Sequence, residues 1–135
     1  MTRFIANSFI ILVILVWAQI AHAGEYKVTI IEPANNAEVT SPFKVCLKSE
    51  NLIVEPAKNG VSQGKGHHHL LFSSLPTDLS KPLGKNNVIH MGDGSSCRTI
   101  ELSTGIHSIR ALFADGNHIP YQPYVTDVIF VRVTH

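Results

Sequence analysis

Short runs of β-branched and aromatic residues alternate with polar positions along the chain, and Gly, Pro, Asn and Asp separate the runs. A period of two is typical of strands that bury one face, and no segment shows a sustained helical period. The pattern predicts an all-β, immunoglobulin-like β-sandwich with little or no helix. The predicted strands are Tyr26–Ile31, Phe43–Lys48, His67–Ser73, Val88–Met91, Arg98–Leu102, His107–Ala114 and Val125–Val133.

The first 23 residues have the pattern of a secretory signal peptide. Arg3 supplies a positive charge, Phe9–Trp17 is apolar, and Ala21 and Ala23 are the small residues before the expected cut. The alternative is a membrane-spanning helix, which needs roughly 20 apolar residues, whereas this core is shorter and is followed by Gln19. We expect cleavage after residue 23 and a single domain of residues 24–135, periplasmic or secreted, without a membrane anchor.

The charge of the chain is nearly balanced, with 11 basic and 10 acidic residues. A neutral domain without a basic stripe lacks the electrostatic signature of a nucleic-acid partner. Its length suits one hydrophobic core, and we expect a monomer.

Cys46 and Cys97 are the two cysteines, and export to an oxidising compartment favours a disulfide between them. Apolar Val45 and Leu47 flank Cys46 in its strand, so Cys46 has outward parity, and Cys97 shares the parity of Thr99 on its own strand. In an immunoglobulin-like order these two strands are neighbours. We therefore expect a cross-strand bond on the outer face; two free thiols are the alternative.

Histidine supplies the candidate chemistry, because three of the eight histidines are consecutive in a predicted strand. Side chains alternate along a strand, so His67 and His69 share one face and His68 the other. Two imidazoles at this spacing can chelate Cu²⁺ or Zn²⁺ at about 2.0–2.1 Å, but tight binding needs further ligands from elsewhere. The predicted metal ligands are His67, His69, His90 and His118.

Two other interpretations of the histidines stay open. They can form a structural hydrogen-bond network, since an imidazole both donates and accepts, or they can line a pocket for another kind of ligand. His68, which shares a face with Leu70, is expected to be structural. Asp93 and Asp115 flank His90 and His118; they either orient these rings or, as we expect, serve as turn residues beside Gly.

Four strings recur together in a family that the chain resembles: Gly66–Leu71, Ile89–Gly92, Gly105–Ile109 and Asn117–Pro120. The chain is similar to a family of small secreted bacterial proteins of unknown function with GHHHLL, IHxG, GxHxL and NHIP motifs. The resemblance runs from about residue 28 to 133 and implies an immunoglobulin-like sandwich outside the cytoplasm, with no activity to carry over. Tyr121 stands where a further histidine is common in that family, which removes one ligand.

These observations together predict a binding or accessory domain and not an enzyme, because the sequence has neither a nucleophile elbow nor paired carboxylates. The cofactor would be Cu or Zn, and binding would weaken as the pH falls through about 6.5. The alternative is an interaction module for an envelope protein or a glycan. The long polar stretch Ser49–Lys65 would then be the contact surface, and the histidines would be structural.

Overall fold

The computed structural model describes residues 24–72 and 74–135, and the predicted signal peptide of residues 1–23 lies outside this part. Within it, nine strands and one short 3-10 helix (Ala57–Asn59) follow one another along the chain. The strands are β1 Lys27–Glu32, β2 Ala37–Thr40, β3 Phe43–Glu50, β4 Ile53–Val54, β5 Lys65–Leu71, β6 Val88–His90, β7 Cys97–Ile100, β8 Gly105–Ala114 and β9 Thr126–Thr134. Each predicted strand is present, and both of its observed ends lie within two residues of the predicted ends. Strands β2 and β4 were not predicted.

The strands form two sheets. One has the order β1-β3-β7, and the other has the order β2-β9-β8-β5-β4, with β6 also paired to β5. The prediction of an all-β sandwich is therefore confirmed. Among the described residues no helix is long and apolar enough to cross a membrane.

The alternation of side chains along the strands produces the core between the sheets. In β9, Ile129, Val131 and Val133 are buried, and the two residues between them are exposed. Their buried side chains join Val45 of the three-stranded sheet and Phe113 of the six-stranded sheet in one apolar cluster. Burying each such side chain contributes about 1.5–3 kcal/mol, so this cluster holds the two sheets together.

Strand β5 differs from β9 because both of its faces are buried. Leu70 faces the core, whereas Leu71 packs in a second apolar cluster with Leu79 and Leu112, against which Leu83 also packs. The segment from residue 74 to β6 therefore covers the outer face of the six-stranded sheet. Polar side chains of β5 that point to this face are shielded from solvent although they lie outside the sandwich core.

The disulfide between Cys46 and Cys97 joins the neighbouring strands β3 and β7. The two residues are direct partners in the antiparallel register, with their Cα atoms 4.1 Å apart. The predicted cross-strand bond is thus confirmed. Cys46 is only 5% exposed, because β3 is the central strand and Glu32 of β1 lies on its other side.

Candidate functional site

Two of the four predicted ligands lie on β5. His67 and His69 point to the outer face of the six-stranded sheet, and their ring centroids are 4.7 Å apart. Both are buried, at 0% and 1% exposure. His90 ends β6 and is the direct cross-strand partner of His69, so strand pairing alone brings these two side chains together.

The fourth histidine lies in the loop after β8. The carboxylate of Asp115 accepts hydrogen bonds from the backbone N–H of Asn117 (2.8 Å) and of Ile119 (3.0 Å). The N–H of His118 donates to the Asp115 carbonyl at 2.9 Å. This tight turn holds His118 at a φ of 67°, a left-handed conformation that few non-glycine residues adopt. The turn therefore fixes the direction in which the imidazole leaves the backbone.

All four rings meet at one place. The six pairwise distances between ring centroids lie between 4.6 and 5.9 Å. The Nε2 atom of His90 lies 3.0 Å from Nε2 of His67 and 3.1 Å from Nε2 of His118. One nitrogen from each of these three residues falls within 4.8 Å of the others, so the group could hold a metal ion. We call the four residues the histidine cluster.

The backbone around the histidine cluster is tightly packed. Gly92 lies against the imidazole of His90, and a Cβ atom at this position would overlap the ring. The carbonyl of Gly92 accepts a hydrogen bond of 2.9 Å from the N–H of Ala57 in the 3-10 helix. Gly116, next to His118 along the chain, packs just as closely on the backbone of Gly60. The segment that carries the 3-10 helix therefore supports both loops of the cluster.

The environment keeps the buried histidines neutral. Burial first, and then the charge of neighbouring imidazoles, lowers the pKa of His67 to about 4 and that of His69 to about 2, from the ordinary 6.5. Burial also lowers the pKa of His90, with a further contribution from His118. A neutral imidazole offers a lone pair, so these side chains are in the protonation state that metal binding requires.

Two further histidines have structural positions. Nε2 of His68 lies 3.1 Å from the hydroxyl of Ser49, and its ring packs edge-on against Phe113 at 5.2 Å. His68 is therefore a buried core residue, as the strand alternation predicts. His107 lies outside the histidine cluster, and its Nε2 donates to the carbonyl of Ser103 at 2.7 Å.

The two aspartates that flank the ligands are turn residues. Asp93 accepts hydrogen bonds from the backbone N–H and hydroxyl of Ser95, at 3.0 and 2.7 Å, and forms an ion pair of 3.2 Å with Arg98. Asp115 caps its own loop, as described above. Tyr121 is structural as well, because its hydroxyl donates to the carbonyl of Lys65 at 2.6 Å.

One part of the site could not be predicted from the pattern of residues along the chain. A pocket of about 380 Å³ opens onto His69, His90 and His118. It is also lined by residues 82–85, which belong to the loop before β6, and by Val88 at the start of β6. The alternation of side chains in strands cannot predict where such a loop packs.

Comparisons with known proteins identify a family. The X-ray structure of the endo-beta-1,4-mannanase from Thermotoga petrophila is similar at a TM-score of 0.47 and 11% identity, over 83% of this chain and 20% of that chain. This chain thus spans about a fifth of the length of the mannanase chain. No curated protein matches the sequence. Residues 45–134 match a family model described as a domain of unknown function, and the chain therefore belongs to the DUF4399 family.

Proposed function

We propose that this protein captures a divalent transition-metal ion, Zn²⁺ or Cu²⁺, outside the cytoplasm through the histidine cluster. One observation carries the proposal: the Nε2 atoms of His67 and His118 both lie within 3.1 Å of Nε2 of His90. Tetrahedral zinc with bonds of about 2.0–2.1 Å separates its nitrogen ligands by about 3.3–3.4 Å. The spacing between these atoms is therefore close to the spacing that a shared ion needs.

A hydrogen-bond network accounts less well for the same contacts. A neutral imidazole nitrogen carries either one hydrogen or one lone pair. Nε2 of His90 can therefore make one good hydrogen bond, to His67 or to His118, but not one to each. A cation at the centre accepts a lone pair from all three nitrogens and needs no such choice.

His69 supports the proposal independently. Neither of its ring nitrogens has a hydrogen-bond partner among the described residues, although both are buried. Burying a polar group without a partner costs about 1–3 kcal/mol. Its ring lies 4.7 Å from that of His67 and 5.3 Å from that of His90. We therefore propose His69 as the fourth ligand, reached by a small adjustment of the rings.

The donor set and the disulfide indicate the ion and the compartment. Neutral imidazoles suit zinc and copper, whereas Mg²⁺ and Ca²⁺ prefer oxygen ligands. A bond between Cys46 and Cys97 is typical of exported proteins, in agreement with the signal peptide expected over residues 1–23. We propose binding and not catalysis, because Asp93 and Asp115 are both engaged in turns and are poorly placed as a general base.

Calorimetry with Zn²⁺ and Cu²⁺ tests the proposal. The protein should be untagged, because a histidine tag binds the same ions, and elemental analysis of protein purified from the cell envelope should precede the titration. We expect His90→Ala to weaken binding by about 100-fold or more. His107→Ala is the matched control, because His107 lies outside the cluster, and should bind as the wild type does.

The absence of heat and of any shift in melting temperature with either ion would contradict the proposal. A free-ion concentration of 100 times the dissociation constant would raise the free energy of unfolding by about 2.7 kcal/mol, which a melting curve resolves. That negative result would favour the alternative, an envelope interaction module that uses Ser49–Lys65 as its contact surface.

A further inference from the structure

The pocket beside the histidine cluster has the size and the walls of a small-molecule site. Its volume of about 380 Å³ lies within the range of about 300–1,000 Å³ that ligand pockets occupy. Its lining includes His90 and His118, the apolar side chains of Leu83 and Val88, and Lys85. The pocket thus combines an apolar surface with one cationic side chain and opens onto three of the proposed ligands.

The walls of this pocket are held in place. The backbone N–H of Leu83 donates to the carbonyl of His118 at 2.9 Å, so the covering segment is bonded directly to a ligand loop. The side chains of Leu83 and Val88 also pack against the second apolar cluster, formed by Leu71, Leu79 and Leu112. The pocket is therefore formed before any ligand enters it.

The charges at the site favour an anion. All four proposed ligands are neutral imidazoles, so a bound divalent ion would keep its full charge. The nearby carboxylate of Asp93 is already paired with Arg98 at 3.2 Å, and that of Asp115 caps its own turn. Lys85, which lines the same pocket as His90 and His118, adds a further positive charge. A cation beside a lysine is unfavourable unless an anion lies between them.

We propose that the metal-loaded site binds a small aliphatic carboxylate, an inference that rests on the proposed metal binding. The carboxylate group would bind the ion as a fifth ligand, since such an ion can expand to five-coordination, and would interact with the ammonium group of Lys85. The aliphatic part would lie against Leu83 and Val88. The protein would thus recognise a short organic acid only when the ion is present.

Butyrate, acetate and the neutral butyramide are the probes. Each is titrated into untagged protein loaded with Co²⁺, whose visible spectrum reports a change in coordination, and into the metal-free protein. We expect butyrate to bind only the loaded protein, about tenfold more tightly than acetate because two more methylene groups are buried. Butyramide should not bind.

Lys85→Gln should weaken butyrate binding about fivefold, as the loss of an exposed charge pair does, and should not weaken the binding of the metal ion, because a positive charge near that ion is removed. Lys81→Gln is the matched control. Lys81 comes from the same covering segment, but it pairs with Asp78 at 2.9 Å and does not line the pocket.

The outcomes separate the two proposals. If Co²⁺ and Zn²⁺ do not bind, the proposed function fails and the inference fails with it. If the ions bind but butyrate leaves the spectrum unchanged, only the inference is overturned. Equal affinity for butyrate and butyramide, or the same loss in Lys85→Gln and Lys81→Gln, would also overturn it, because the anion would then not be recognised by its charge at this place.

Discussion

Gly92→Ala is the sharpest test of the geometry around His90. The methyl group would overlap the imidazole, since a Cβ at this position falls on the ring atoms. The substitution should not strain the backbone itself, because Gly92 is not among the residues with positive φ. The substitution therefore displaces one proposed ligand and removes none.

The size of the effect follows from two distances. Carbon atoms in contact lie about 3.5–4.0 Å apart, so the ring has to move by more than about 1 Å. Metal–nitrogen bonds tolerate only about 0.2 Å. We expect the affinity for Zn²⁺ to fall about 10- to 100-fold, the range seen when the support of a ligand is lost. Because His90 is exposed, its ring can swing into solvent, and the stability should fall by less than the 1–3 kcal/mol of an overpacked core.

Calorimetric titration with Zn²⁺ measures the affinity, and denaturant unfolding of the metal-free protein measures the stability. Gly84→Ala is the control, because Gly84 also borders the pocket but has no atom within 4 Å of an added Cβ. Equal affinities of the two variants for Zn²⁺ would refute the assignment of His90 as a ligand in this conformation.

Three further predictions concern stability. His67–His69 have pKa values in the folded protein below the ordinary 6.5, so the unfolded chain binds more protons below that pH. The free energy of unfolding of the metal-free protein should therefore fall as the pH drops from about 6.5 towards 4, by about 1.4 kcal/mol per pH unit for each histidine that stays neutral. Urea titrations at pH 7.5, 6 and 5 measure this fall, and a flat profile would contradict the burial of neutral rings. Replacing Cys46 and Cys97 by Ala should lower the free energy of unfolding by about 4 kcal/mol, because the disulfide closes a loop between residues 51 positions apart and so restricts the unfolded chain. Zn²⁺ binding should stay intact, and a loss in binding would show that the two sheets are coupled. Ser49→Ala removes the hydrogen-bond partner of His68 and should lower the free energy of unfolding by about 1–3 kcal/mol. The same urea assay measures this change, and an unchanged stability would contradict the prediction.

The alternation of side chains, with turn residues between the runs, predicted seven of the nine strands of the described residues, including the three-residue β6. The immunoglobulin-like strand order predicted that the strands of Cys46 and Cys97 are neighbours, and the register confirms it. Strand β4 has only two residues, too few for a period of two to be recognised. The four residues of β2 are stabilised by parallel pairing with β9, a contact between distant parts of the chain.

The site was predictable to a different degree for each ligand. Strand geometry predicted that His67 and His69 share a face. The approach of His90 depends on the pairing of β6 with β5, and that of His118 depends on the turn that Asp115 caps. The pocket wall around Leu83 depends on long-range apolar packing, for which the local sequence carries no pattern.

The histidine cluster lies on the outer face of the six-stranded sheet, whereas the core of the domain lies between the two sheets. Phe113 and the other core side chains lie on the opposite face, so exchanging residues in the covering segment 74–88 leaves that core unchanged, provided that Leu79, Leu83 and Val88 keep the second apolar cluster. Relatives could therefore change the length or polarity of this segment and acquire a different ligand preference while keeping the same scaffold. For protein engineering, the segment is the natural place to randomise when a new small-molecule binder is sought.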